Sequence, residues 1–508
     1  MEDFIFKTIA SSFALLVLYI VIRLVNNIWW RPRSTEKLLR QQGIRGSSYK
    51  LFNGDISDMK NSAIKALSKP ISLNHKIAPR VTPFILKMVQ QHGNVSFYWF
   101  GRRPRLIVVD AELTRLILTS KNGHFKKPPR NPLIKILTLG LSSLEGEAWT
   151  KRRRVVTSAF QLEKLKAMVP AFSISCHNMI ERWEKLVKPN GSFELDVSVE
   201  FDVLAGDVIA RTAFGSSYQE AKKIFELQKE QAILVNEALS SIYIPGFRFL
   251  PTKKNKRRYN LDFQIKAMLR DIIQKKEQVM REGQLKEHDL LSMLLQCRDQ
   301  NNSLTTEDVI EECKLFYFAG QVTTSNTLAW TLIVLSMHPE WQEKARAEVL
   351  EIFGKKAPDF EGINHLKIVS MILYEVLRLY PPVTAIDKYN WCDTRVGNMS
   401  IPSGVEVHLP LLLLHYDGNY WEKPEEFNPL RFSEGVSKAS KDHIAFYPFG
   451  WGPRICPGQN FAFLEAKLAL SMILQHFSFM LSPSYAHAPS ISITLKPQLG
   501  APIVIRRT

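Results

Sequence analysis

The longest apolar run in the chain comes near its start. Ile9 to Val25 carries a single charge, Arg23. It is close to the minimum of about 17 residues that crosses a bilayer as a helix. Trp29-Trp30-Arg31-Pro32-Arg33 follows, the aromatic-plus-basic composition of an interface anchor. No small-residue cleavage site comes after the run, which argues against a secretory leader. Arg31, Arg33, Lys37 and Arg40 lie beyond it, so the positive-inside tendency puts the bulk of the chain on the cytosolic side. Ser96–Phe100 and Arg105–Val109 read as short strands around a Gly-Arg-Arg-Pro turn. From about Asp110 onward helical periodicity dominates. Glu147 to Arg154 opens one helix, Ser303 to about Met337 forms a long one, and Phe461 to Phe477 is a third. The fold class is mainly α with small β-sheets (α+β) and an N-terminal transmembrane helix. The expected organisation is an anchor over 1–30, a basic linker over 31–60 and one large domain over 61–508.

Charge and cysteine content narrow the class. The net charge is +18, but it is scattered and no nucleic-acid module accompanies it. A membrane surface or an acidic protein partner accounts for the excess, and nucleic acid is not expected. The five cysteines are widely spaced and form no Cys-x-x-Cys, which argues against a disulfide framework and against structural zinc. No fixed-period repeat is visible.

The chemistry gathers in Phe449-Gly450-Trp451-Gly452-Pro453-Arg454-Ile455-Cys456-Pro457-Gly458. One cysteine sits in a Gly- and Pro-rich loop just before a helix, where backbone N–H groups favour a thiolate. Arg454 adds a cation. Such a thiolate is a nucleophile, a metal ligand or half of a disulfide. Trp149 and Arg153 share a helix face, a pairing that can bind a carboxylate or phosphate or belong to an ordinary solvated basic helix. Gly320, Thr323 and Thr324 interrupt the long helix with residues that cost helix stability. Gly320 admits close approach of another group, either a ligand or a packing helix. Thr323 can bond a carbonyl one turn back and open a notch. Thr305 and Asp308 suit a helix cap. Glu375 and Arg378 make an opposite-charge pair flanked by apolar residues, hence a buried one. Tyr243 to Pro251 is apolar and followed by Lys253, Lys254, Lys256, Arg257 and Arg258, which suits a membrane surface or an ordinary loop.

The decamer resembles the haem-binding loop of cytochromes P450, with Phe449, Gly452, Arg454, Cys456 and Gly458 at every motif position. The resemblance implies haem b with Cys456 as axial ligand and Trp149, Arg153, Arg454 and Phe449 as its binding residues. It implies Thr323 as the catalytic hydroxyl and a structural set of Glu375, Arg378 and Arg431. Lys151, Arg152 and Arg154 are then candidates for a reductase docking face. The family carries an acid beside the two threonines; this chain has Val322. Leu39–Gly46, Cys313–Gln321 and Pro483–Pro489 are similar to a plant clan of iridoid and triterpenoid oxidases that includes secologanin synthase.

The expected activity is that of a membrane-anchored haem-thiolate monooxygenase acting on a hydrophobic, terpenoid-type small molecule. The class extends to oxidative ring cleavage. It would use O2 and NADPH-derived electrons from a separate membrane-bound reductase, at the endoplasmic reticulum membrane with the catalytic domain in the cytosol. Two alternatives stand beside it. One is a haem-thiolate isomerase or dehydratase without O2 or reductase, motivated by Val322. The other is a non-catalytic haem sensor or carrier.

Overall fold

The computed structural model describes the chain apart from Lys121, Asn122, Arg130, Thr138, Asn190, Ser240, Ile242 and residues 283–288, 302–303 and 442–443. The apolar run becomes helix α1 (Glu2–Val25), which passes through a π-helical turn, Asn26–Trp30, into α2 (Arg31–Gln41). The helix is unbroken over 39 residues from Asp3 to Gln41, and none of its apolar window is buried. Pro32 cannot donate a backbone hydrogen bond to the carbonyl of Ile28 one turn back. The Tyr49 hydroxyl donates to that carbonyl instead, at 2.8 Å. Beyond the turn, α2 is held by buried Leu39 and by Arg40, which donates to the Gly46 carbonyl at 3.0 Å.

The chain divides into two compact units. The first comprises 1–66, 82–128 and 386–410 and holds a six-stranded sheet. Its strands are β1 (Arg45–Gly46), β2 (Val95–Phe100), β3 (Arg103–Val108), β4 (Phe125–Lys126), β5 (Ile386–Asn390) and β6 (Glu406–Leu409). They lie in the order β1-β2-β3-β6-β5-β4. The two strands expected from sequence form its centre, antiparallel, with Phe97 opposite Leu106. Phe97, Tyr98, Trp99, Leu106, Ile107 and Val108 are buried on both faces, which is why the runs are apolar without alternation.

The second unit comprises 67–81, 129–385 and 411–508 and is mainly helical. Five of its helices matter for the site: α3 (Gly146–Ala159), α4 (Leu162–Leu186), α5 (Val197–Phe214), α6 (Thr306–Met337) and α7 (Ile368–Leu379). A sixth, α8 (Gln459–His476), follows the cysteine loop. Helix α6 starts with the expected reciprocal cap. Thr305 Oγ1 accepts from the Asp308 amide at 3.1 Å, and Asp308 accepts from the Thr305 amide at 2.9 Å. The expected start at Ser303 lies outside the described residues.

Gly320 lets α5 pack closely. A Cβ there would stand 2.8 Å from the Ile209 side chain, so of the two readings of this glycine helix packing is the one observed. The charged set of α7 is buried and saturated. Arg378 donates from Nε and Nη2 to both Glu375 oxygens at 2.7 Å, and from Nη1 to the carbonyls of His415 and Pro424 at 2.8 and 2.7 Å. Arg431 reaches Glu375 at 3.4 Å. Such a pair survives burial only when its remaining donors are satisfied, as here.

Candidate active site

The loop before α8 is shaped by two glycines. Gly450 and Gly452 have φ of 73° and 71°, values that disfavour any side chain. The chain then turns through Gly452–Arg454 and returns, so that the Cys456 amide donates to the Phe449 carbonyl at 2.9 Å. Cys456 is therefore fixed by the backbone on one side and by the start of α8 on the other. Burial is the largest influence on its thiol and pushes the pKa up; the Gly458 amide and the Arg153 guanidinium oppose it. Yet Cys456 is exposed. The side chain is thus accessible although protein is packed closely around it, which leaves space for a ligand at the sulfur. A metal cation in that space would deprotonate the thiol outright.

Arg153 on α3 meets the loop directly. Its Nη1 donates to the Ile455 carbonyl at 2.6 Å. The Arg454 guanidinium lies 4.5 Å from the Trp149 ring centroid, donates to the Leu144 carbonyl at 3.0 Å and pairs with Glu145. Burial lowers the pKa of both guanidinium groups. Arg153 has no carboxylate within ion-pair distance among the described residues. One carboxylate thus serves two half-buried cations, and the surplus positive charge suits an anionic ligand. The residues therefore fit a haem: a thiol for iron and guanidinium groups for its carboxylates. Of the sequence-predicted set, the fold brings Trp149, Arg153, Phe449, Arg454 and Cys456 together.

Thr323 lies on α6. Its hydroxyl donates to the Ala319 carbonyl at 2.8 Å, as the sequence implied, although the helix stays regular. Every residue from Val309 to Tyr317 and from Thr324 to Leu335 is buried. Phe318 to Thr323 between them is only half-buried. That window, about one and a half turns long, is where a buried helix opens. Val322 stands within it. Asp202 on α5 borders the same turn: its carboxylate accepts from Ser325 at 2.7 Å and its carbonyl from Gln321 at 2.8 Å. Nothing in the sequence pairs Asp202 with residues over a hundred positions away.

One expectation needs correction. Arg152 is buried, not on a docking face. It pairs with Glu312 at 2.7 Å and Asp308 at 3.2 Å on α6. Burial pushes the Glu312 carboxyl up and Arg152 pulls it down. Lys151 and Arg154 stay exposed.

A thiol at the head of a helix, beside half-buried arginines in a helical unit, suits a haem-thiolate oxidoreductase. Residues 74–500 match the cytochrome P450 family, and the chain belongs to it. Cytochrome P450 CYP72A219 of Panax ginseng is 49% identical over 97% of this chain and 98% of its own. Secologanin synthase 1 and 7-deoxyloganic acid hydroxylase, both of Catharanthus roseus, are each 47% identical, over 99% and 97% of this chain and 98% of their own. The solved structure of retinoic acid bound cyanobacterial CYP120A1 shares the fold, with a TM-score of 0.76, 23% identity and coverage of 92% of this chain and 99% of that one. The chain is a haem-containing monooxygenase with a cysteine thiolate ligand, using O2 and electrons from a reductase partner.

Proposed function

We propose that this chain oxidises a terpenoid-type substrate of the iridoid, triterpenoid or diterpenoid class, oxidative ring cleavage included. The observation that carries the reading is end-to-end similarity at 47% identity to two enzymes named for secologanin and 7-deoxyloganic acid. Bound haem supplies dioxygen activation, which a thiolate ligand favours. Cys456 would hold its iron through the thiolate. Arg153 and Arg454 would hold the haem carboxylates, with Trp149 against Arg454 and Phe449 in the cysteine loop. Thr323 holds a proton at Oγ over the open turn of α6. Lys151 and Arg154 face a membrane-bound NADPH reductase. Helix α1 anchors the chain in the endoplasmic reticulum membrane with the catalytic part in the cytosol, because the basic residues lie beyond the helix.

A spectral binding screen of the full chain across iridoids, triterpenoids and diterpenoids tests the substrate class. Saturable displacement of the resting Soret band by one class, followed by NADPH- and reductase-dependent product, is expected. Absence of a response to all three would refute it. Cys456→Ser should abolish the thiolate-type band of the reduced, CO-bound enzyme, and survival of that band would move the ligand elsewhere.

A further inference from the structure

A second site lies where the long N-terminal helix leaves its apolar span. Arg33, Glu36, Lys37, Arg40, Gln41, Ser48 and Tyr49 line an open hollow of about 580 Å³. Its charge is unbalanced. Both Glu36 oxygens are engaged, one by Arg40 at 2.9 Å and the other by the Tyr49 amide at 3.1 Å. Arg33 and Lys37, four apart and on one helix face, have no carboxylate partner among the described residues. The Arg33 guanidinium instead rests 3.7 Å from the Trp29 ring centroid. The far wall is rigid, because the Tyr49 hydroxyl bonds the Ile28 carbonyl of the π turn.

Position along the helix decides what the hollow is for. Trp29 and Trp30 suit the membrane interface. At about 1.5 Å of rise per residue, Arg33 lies roughly 5 Å and Lys37 roughly 10 Å beyond Trp30. A headgroup layer is about 5–7 Å deep on each side of the hydrocarbon. The two free cations thus stand at and just beyond the phosphates, with hydroxyl and amide donors from Ser48 and Gln41 beside them.

We propose that this hollow binds the phosphate of an anionic phospholipid headgroup, with Arg33 and Lys37 as its charge partners. The depth argument rests on the anchoring reading; the test does not. Full-length protein in neutral detergent is offered equal phosphatidic acid and phosphatidylcholine, and lipids retained per chain are counted by native mass spectrometry. Wild type should retain phosphatidic acid preferentially. Each basic side chain near an anionic surface contributes about a fivefold preference, so R33Q/K37Q should lose most of it. K355Q/K356Q removes the same charge from exposed positions elsewhere and should keep it. Equal loss in both variants, or no preference in wild type, overturns the site. Displacement by millimolar glycerol 3-phosphate would reassign it to a soluble phosphoester and overturn the lipid reading. Anchoring is scored separately by flotation on neutral vesicles under alkaline carbonate, and release there leaves the lipid count standing.

Discussion

Val322 replaces an acid within the half-buried turn of α6, and valine neither gives nor takes a proton. Among the described residues the hydrogen-bonding groups at that turn include the Thr323 hydroxyl, Gln321, the Ser325–Asp202 pair and Asn326, which donates to the Val322 carbonyl at 2.7 Å. If proton supply limits turnover, Val322→Glu should raise product formed per NADPH consumed. Unchanged or lower coupling, measured against hydrogen peroxide release, would mean that the site has adapted to do without the acid. Cys456, Arg454 and Phe449 were legible because the loop places them within a few residues of one another. Asp202 was not, since its relation to Ser325 exists only once α5 and α6 pack. Arg152 illustrates the same limit. In a run of Lys-Arg-Arg-Arg every residue looks solvated, and burial of one follows from Glu312, which comes from another helix.

Helix α6 depends on a close fit that one atom can disturb. Gly320→Ala sets a methyl group 2.8 Å from the Ile209 side chain and should cost about 1–3 kcal/mol as overpacking. Ile209→Ala in the same chain should recover part of that loss, read by thermal unfolding. If Gly320→Ala alone is neutral, the α5–α6 contact is looser than described. The helices were readable from periodicity, and the capping box of α6 was readable from Thr305 and Asp308. Of the six-stranded sheet only two strands were visible. β5 and β6 come from a segment that begins at Ile386, 278 residues after β3 ends at Val108, and short strands of mixed polarity carry little signal.

The helical unit is held by buried charge and by histidines kept neutral. Arg378→Met would strand Glu375 in the core and should cost about 3–5 kcal/mol, seen as loss of folded, haem-bound protein. The histidines act through pH. His75, bonded to Tyr380 at 2.9 Å and to His338 at 3.0 Å, has its pKa lowered by burial to about 3, and buried His415 is likewise lowered to about 3. Each binds its proton in the unfolded chain near pH 6.5 but not in the folded one. Stability is therefore full above that pH and falls on acidification between about 6.5 and 3, by up to about 1.4 kcal/mol per pH unit for each histidine. His75→Phe should flatten this slope in denaturant titrations from pH 7 to 5, and an unchanged slope would exclude His75 as a source.

The unbroken helix from Asp3 to Gln41 has a mechanical consequence. A 39-residue rod is about 58 Å long, with about 100° of rotation between successive side chains. Because the π turn lies inside the rod and α2 is seated on its own unit through Leu39 and Arg40, torsion is transmitted along it. Inserting one residue between Val25 and Arg31 would turn the apolar span by about 100° against α2. The turn at Asn26–Trp30 thus sets an angular phase between the apolar span and the face of α2 that carries Leu39 and Arg40.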